Sequence, residues 1–321
     1  MNRVTEQLEA IAAEVDAALN SGQFDLPTFP DIAVKIRDLI DDPNVSAEQL
    51  VNLLTADPVI AAHIIKAANS AAASGGGARV ETVRAAISRL GYRMLRNLVI
   101  TVTVSKLFKA GSPIIDRKLK QLWERSRIVA AHSFVIALHQ RHLKPEQAML
   151  AGMIHNLGAL PLCIYADRHH PRLEADALEA LLRRFGTRVG IKLLDNWHFP
   201  QEMVDVVAGY ENLQRQNGGS LADYTDVVTV ANLQSSGSGK FVAWQNVAAA
   251  GRLGCAPERC FSFNEDHAEQ LGIAFEMLGL PNKAVVAQPP APKPVAAKPA
   301  PVNTKPNETP GILGIFSRLF K

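Results

Sequence analysis

The residues best suited to chemistry are His155 and Asn156, an imidazole and a carboxamide side by side in the apolar run 149–162. A neutral imidazole can bind a metal ion or accept a proton, whereas a carboxamide is poor at both. Apolar residues recur three and four apart before the pair, which predicts a buried helix. Gly158 is predicted to end this helix, and Pro161 to prevent its resumption. The histidine is then either a satisfied core residue or part of a former site.

The composition indicates a helical protein with a sizeable core. Of the 321 residues, 47% are hydrophobic but only 6% are aromatic. Strands favour aromatic and β-branched residues in alternating runs, and this chain has few of these. Helical patterns follow one another without strand alternation, so the predicted fold class is all-α.

Start and stop signals place many of the helices. Residues 46–49 form a capping-box pattern, and Asp57-Pro58 is a cap followed by a first-turn proline. Gly91 separates a short helix at 83–90 from a longer one at 94–108. A first amphipathic helix is predicted at the N-terminus, within residues 1–21. It either docks on the rest of the protein or pairs with a second copy of the chain. Further helices are predicted at 116–138, 176–185, 187–197, 200–210, 224–233, 241–253 and 265–278.

Several motifs carry a family resemblance. The pattern A-G-x-x-H-N-x-G resembles the segment that names the HD phosphohydrolase superfamily, with Asn156 in place of the Asp. The segments L-P-T-F-P-D-I-A-V-K-I, T-A-D-P-V-I-A-A-H-I-I-K-A-A-N-S, L-W-E-R-S, W-H-F-P-Q-E-M-V and V-T-V-A-N-L are similar to the HDOD family over roughly residues 22–236. This resemblance implies a helical HD-like fold, a role in bacterial signalling and no established catalytic activity.

The resemblance also points to four positions of a metal site. HD enzymes bind the metal through the His-Asp pair, a His from an earlier helix and an Asp from a later one. At the matching positions this chain has Arg125, His155, Asn156 and Asn232. A guanidinium is not a ligand, carboxamides are poor ligands, and no carboxylate remains. The resemblance therefore implies a degenerate site without metal, and no cofactor is expected.

These four residues leave two hypotheses open if they converge. They form either a hydrogen-bonded polar plug in the core or a pocket for an anion or nucleotide anchored by Arg125. His132 lies two helical turns after Arg125, where it either lines such a pocket or packs partly exposed. Four further histidines are predicted to lie on the surface (His139, His142, His169, His170). The three cysteines (Cys163, Cys255, Cys260) are predicted to form no disulfide, and Cys255 and Cys260 to be buried apolar side chains rather than zinc ligands.

We interpret the chain as a non-catalytic regulatory module that binds signalling proteins. The alternatives are a nucleotide- or anion-sensing module using Arg125 and a residual metal-dependent phosphohydrolase. The N-terminus has no apolar signal core and no uninterrupted apolar run reaches about 20 residues, which predicts a cytoplasmic protein. The net charge is +3, but residues 282–321 carry +5 and the body −2, so nucleic acid is not an expected partner.

The end of the chain differs in composition from the body. Residues 288–310 hold eight of the 19 prolines, which predicts an extended, disordered linker. An amphipathic helix is predicted beyond it, with its apolar face formed by Ile312, Leu313, Ile315, Phe316, Leu319 and Phe320. It could pack on its own body, lie peripherally on an anionic membrane or dock on a partner, and the long tether favours the partner. The predicted organisation is an N-terminal helix (1–21), an HDOD domain (22–236, dividing near 111), C-terminal helices packed on the body (237–280), the linker (281–310) and the terminal helix (311–321).

Deletion of residues 311–321 tests the tethered-helix hypothesis. We expect the truncated protein to melt at the same temperature as the full chain, because a tethered helix adds nothing to the core. Binding of partner protein should weaken in the same preparation. A drop of several degrees in melting temperature would show instead that the segment is part of the core.

Overall fold

The computed structural model describes residues 3–42, 45–73, 78–236 and 241–281. These residues form helices, turns and loops, with no strand among them, which confirms the all-α prediction. The predicted terminal helix, including Ile312, Leu313, Ile315, Phe316, Leu319 and Phe320, lies outside the described residues. The helices are α1 (Arg3–Ser21), α2 (Asp31–Asp41), α3 (Ala47–Thr55), α4 (Pro58–Ala73), α5 (Val83–Ser105), α6 (Pro113–Leu138), α7 (Pro145–Ile154), α8 (Ala159–His169), α9 (Ala175–Asn196), α10 (Gln201–Gly209), α11 (Tyr224–Gln234), α12 (Ala248–Arg252), α13 (Pro257–Asp266) and α14 (Ala268–Met277).

The predicted caps form as expected. The Ser46 hydroxyl accepts a hydrogen bond from the Gln49 amide, and the Gln49 side chain accepts one from the Ser46 amide. A carboxylate oxygen of Asp57 accepts hydrogen bonds from two amides in the first turn of α4. Gly91 has a φ of 74° and kinks α5, so the predicted break within this helix is confirmed.

Two predicted helix boundaries in the middle of the chain are wrong. Pro161 does not prevent a new helix, because α8 begins at Ala159 and places the proline in its first turn. First-turn amides have no partner within their helix, so the missing N–H of proline costs little there. The predicted break near residue 186 is also absent, and α9 is one continuous helix.

The C-terminal helices are shorter and more numerous than predicted. The expected helix at 241–253 is replaced by a 3-10 turn, Trp244–Asn246, and the short α12. Helix α13 was not predicted, although Pro257 stands at its first position, where proline is favoured. The last predicted helix begins at Ala268 rather than 265.

Two hydrophobic clusters hold the helices together. The smaller is formed by α2, α3, α4 and α5. The larger is centred on α6 and α7, which pack along each other, with α11 against both. Helix α10 contacts α7, α9 and α11, and α14 packs against α4 and α6. The turn after α7, which carries His155 and Asn156, is therefore surrounded by the larger cluster.

Helix α1 docks on the body rather than standing free. Its residues Ile11, Val15 and Leu19 are buried, and the helix packs on α9. The Lys192 ammonium donates to the Leu19 carbonyl at 2.7 Å, and Arg184 pairs with a glutamate of α1. The first of the two alternatives for this helix is therefore correct.

The α7–α8 region is apolar and long enough to be examined as a membrane span. Among the described residues, Pro145–His169 is the one single stretch with that length and composition. Ala47–Thr55 and Pro58–Ser70 qualify only when taken together, across a bend of 120°. The most apolar 18 residues of Pro145–His169 are 83% buried inside the fold, which is typical of a core helix.

Glycines allow α8 to begin directly against α9. A Cβ at Gly158 would lie 1.9 Å from the Gly186 carbonyl oxygen and 2.5 Å from the Gly190 amide nitrogen. Both are backbone atoms, so no side chain can rotate to make room. This contact sets where the turn bearing His155 and Asn156 leaves α7.

Replacement of Gly158 by alanine tests this constraint. We expect Gly158→Ala to lower the free energy of unfolding by about 1–3 kcal/mol or more, because the backbones of α8 and α9 must separate. Gly186→Ala is the control: its Cβ would meet no atom within 4 Å, and alanine should stabilise the helix by about 0.5–1 kcal/mol. Equal effects in denaturant unfolding would contradict the close-contact account.

Candidate functional site

The four sequence-predicted positions meet where α6, α11 and the turn after α7 come together. One nitrogen of Arg125, Nη2, donates to the Asn232 backbone carbonyl at 2.5 Å and to its side-chain oxygen at 2.6 Å. The two residues are 107 positions apart in sequence, so this contact joins α6 to α11 across the core. Burial lowers the pKa of Arg125, but a guanidinium remains protonated at neutral pH.

His155 is buried beside this cation. Its Nδ1 lies 2.7 Å from the Gly152 carbonyl oxygen, and since a carbonyl only accepts, Nδ1 carries the proton. The ring makes an edge contact with Tyr210, with centroids 4.9 Å apart. Burial lowers the pKa of His155 to about 4, and the positive charge of Arg125 acts in the same direction. The imidazole is therefore neutral at pH 7.

Asn156 and Tyr210 complete the cluster. The side-chain oxygen of Asn156 accepts a hydrogen bond from the Ser126 hydroxyl at 2.7 Å. The Tyr210 hydroxyl donates to Glu211 at 3.0 Å, and burial raises the pKa of this phenol. Sequence analysis did not single out Ser126 or Tyr210. For Ser126 a signal was present, because it follows Arg125 in the segment L-W-E-R-S.

This donor set does not fit a metal ion. The side-chain oxygens of Asn156 and Asn232 already accept hydrogen bonds, and His155 retains only Nε2 as a lone-pair donor. The guanidinium of Arg125 would repel a cation and supplies no lone pair. Among the residues that the structure describes, no three His, Cys, Asp or Glu side chains converge as ligands.

The family follows from comparison with known sequences. The sequence profile of the HDOD domain matches residues 26–213, which is more than half of the chain. The chain belongs to the HDOD domain family. Three of the four predicted site positions, Arg125, His155 and Asn156, lie inside the match, whereas Asn232 lies beyond it.

Solved structures share the HDOD fold. A candidate metal-dependent phosphohydrolase from Shewanella amazonensis has a TM-score of 0.69 at 23% identity, covering 85% of this chain and 99% of that one. An HDOD domain protein of unknown function from Geobacter sulfurreducens has a TM-score of 0.61 at 20% identity, covering 82% and 99%. A curated relative, an uncharacterized protein of Treponema pallidum, is 25% identical over 207 residues, and the match spans 59% of this chain and 38% of the relative.

The other candidate histidines of this HDOD protein do not join the cluster. His132 is buried, which excludes the second of its two alternatives, a partly exposed packing residue. Its Nδ1 lies 2.8 Å from the Ile128 carbonyl oxygen and its Nε2 lies 3.1 Å from the Asn264 side-chain oxygen. Since the shorter contact is to a carbonyl, which only accepts, Nδ1 carries the proton, and the ring lies between α6 and α13. His139, His142 and His169 are exposed as predicted, and His170 is half-buried against Glu14.

The described cysteines are unpaired. Cys260 is buried, as predicted, and Cys163 is buried too. Cys255 is only partly buried, so the prediction of a buried side chain is wrong for this residue.

A buried ionic cluster at the start of α11 escaped sequence analysis. Asp226 is 1% exposed and accepts hydrogen bonds from Arg252 at 2.6 and 2.7 Å and from Arg215 at 2.9 Å. Burial alone would raise the pKa of Asp226, but the two guanidiniums outweigh it and hold the pKa below its usual value. These bonds occupy the carboxylate, so it fastens α11 to the loop before it and to α12. Nothing local in the sequence marks the pairing.

The depressed pKa of His155 has a consequence for stability. The unfolded histidine has a pKa near 6.5, against about 4 in the fold. Between these values the unfolded chain binds more protons, so the contribution of His155 to stability falls as the pH drops. The loss from this residue should reach about 2 kcal/mol at pH 5, relative to neutral pH.

Denaturant unfolding at pH 7 and pH 5 checks this expectation. The wild-type protein should lose about 2 kcal/mol more over this interval than His155→Gln, which cannot titrate. The exposed control His169→Gln should retain the wild-type difference. An unchanged pH dependence in His155→Gln would show that the ring is not held neutral by the fold.

Proposed function

We propose that this HDOD protein is a non-catalytic regulatory module that acts by binding signalling proteins. The observation that carries the proposal is the hydrogen bonding of Arg125 to Asn232, at two positions where the family resemblance expects metal ligands. A fixed positive charge held at the centre of the cluster is incompatible with a divalent cation there.

The chemistry of the cluster also argues against hydrolysis. Hydrolysis by HD-type enzymes depends on a metal that makes hydroxide available near neutral pH. His155, with a pKa of about 4, is a weak base at pH 7 and is far from the value that suits general base catalysis. Neither Asn156 nor Asn232 can replace the missing carboxylates in proton transfer.

The two alternatives have less support. An anion- or nucleotide-sensing site built on Arg125 would have to use Nε and Nη1, because Nη2 is shared between two oxygens of Asn232 and holds the guanidinium against α11. A residual phosphohydrolase is suggested by the names of two solved structures from Shewanella amazonensis, and at 23% and 20% identity these likenesses concern the fold.

The cellular setting belongs to the proposal too. The three cysteines are free, which suits a reducing compartment such as the cytoplasm. The body has a net charge of −2, so we expect protein partners rather than nucleic acid.

Metal analysis tests the proposal directly. After incubation with Mn²⁺ and desalting, wild-type protein and His155→Ala should both contain far less than one metal ion per chain. Neither should hydrolyse bis-p-nitrophenyl phosphate above the buffer rate. One manganese per wild-type chain that is lost in His155→Ala would overturn the proposal.

A restored ligand set provides the matched control. The triple variant Arg125→His, Asn156→Asp, Asn232→Asp supplies the residues that an HD-type site uses, at the same backbone positions. We expect it to retain Mn²⁺ where the wild type does not, because two carboxylates and two imidazoles then converge. Circular dichroism should verify that the variant is folded before its metal content is compared.

A further inference from the structure

A cavity lies away from the Arg125 cluster, where the two hydrophobic clusters meet. It has a volume of about 300 Å³ and is lined by α2, α5, α7, α10 and the turn that precedes α10. Its size is at the lower end of small-molecule pockets, which suits one ligand of about mononucleotide size. None of Arg125, His155, Asn156 and Asn232 lines it.

The floor of this cavity is apolar and aromatic. It is formed by Phe29, Ile100, Leu150, Phe199 and Met203. The Phe29 and Phe199 rings pack edge to face with centroids 5.7 Å apart, and Phe29 also contacts Trp197 at 5.0 Å. Rings held in this way present a preformed surface for a flat apolar group.

The rim carries two arginines. Arg37 and Arg96 line the cavity with side chains 32% and 22% exposed, while Asp41 also lines it and is 61% exposed. The Arg96–Asp41 pair is 3.3 Å apart, and such exposed pairs are weak. Arg37 likewise pairs with Asp38, whose carboxylate lies 3.3 Å away and is 63% exposed. Because both pairs are weak, each guanidinium can exchange its carboxylate for the phosphate of a ligand.

The turn before α10 is held in an uncommon conformation. His198, which lines the cavity, has a φ of 56° and is the one non-glycine residue with a positive φ among those described. The Trp197 indole donates to the Pro27 carbonyl at 2.8 Å, and the His198 amide donates to the Asp195 carbonyl at 3.0 Å. Strained backbone of this kind is concentrated at ligand sites.

A polar side chain in the wall has an unmet hydrogen bond. Gln147 lines the cavity, and its side-chain oxygen is buried without a donor. Rotation of this amide would offer the oxygen to an N–H group of a ligand. A nucleobase carries such N–H groups on a flat ring.

We propose that this cavity binds a mononucleotide, with its phosphate on Arg37 and Arg96 and its base on the aromatic floor. The inference is independent of the proposed function, since the site shares no residue with the Arg125 cluster. It combines an anion site, a flat apolar surface and a hydrogen-bond acceptor within one cavity. Inorganic phosphate would use only the first of these, and a nucleoside only the other two.

Isothermal titration calorimetry of the full chain tests the proposal. GMP and AMP are titrated as probes, with guanosine, adenosine and inorganic phosphate as partial ligands. At least one nucleotide should bind, and its nucleoside and phosphate should bind roughly tenfold or more weakly. The failure of both nucleotides to bind, or equal affinity for phosphate alone, would overturn the proposal.

Variants locate the site and separate it from the Arg125 cluster. Arg37→Ala and Arg96→Ala should each weaken nucleotide binding roughly tenfold or more, while Asp41→Asn should strengthen it by freeing Arg96. The exposed control Arg117→Ala on α6 should bind as the wild type does. Loss of binding in Arg125→Ala, with Arg37→Ala and Arg96→Ala unaffected, would place the ligand at the other cluster and refute this assignment.

Discussion

The hydrogen bonds from Arg125 to Asn232 are the contact around which the centre of this HDOD protein is arranged. A guanidinium that is partly removed from water must be hydrogen-bonded, because an unpaired buried charge costs several kcal/mol. Both acceptors come from α11, so α6 and α11 are fixed relative to each other. The turn after α7 packs beside them, with Asn156 bonded to Ser126 on α6.

Burial and this cation together determine the electrostatics of the cluster. Burial lowers the pKa of His155, and the positive charge of Arg125 acts in the same direction, so the imidazole stays neutral. The same cation disfavours a divalent ion nearby, because it repels a positive charge and supplies no lone pair. The helical framework thus holds a cluster of hydrogen bonds at its centre, and the cavity between the two hydrophobic clusters is a separate feature.

Close backbone contact supplies the second constraint. Gly158 and Gly190 allow the start of α8 to approach α9 more closely than any side chain would permit. Helix α8 begins there as a new helix after a turn rather than continuing α7, so Pro161 falls in its first turn, where proline is tolerated. Sequence patterns identified the apolar run but could not distinguish a turn followed by a loop from a turn followed by another helix.

Local chemistry in the sequence determined the helical class, the capping of α3 by Ser46 and of α4 by Asp57, and the break at Gly91, because each depends on neighbouring residues alone. It also determined that no carboxylate stands at the four family positions. Tertiary structure decided what those residues do. The pairing of Arg125 with Asn232, the burial that keeps His155 neutral, the enclosure of Asp226 by two arginines and the cavity between α2, α5 and α7 all join distant parts of the chain. Such contacts arise from how helices pack, which local periodicity does not encode.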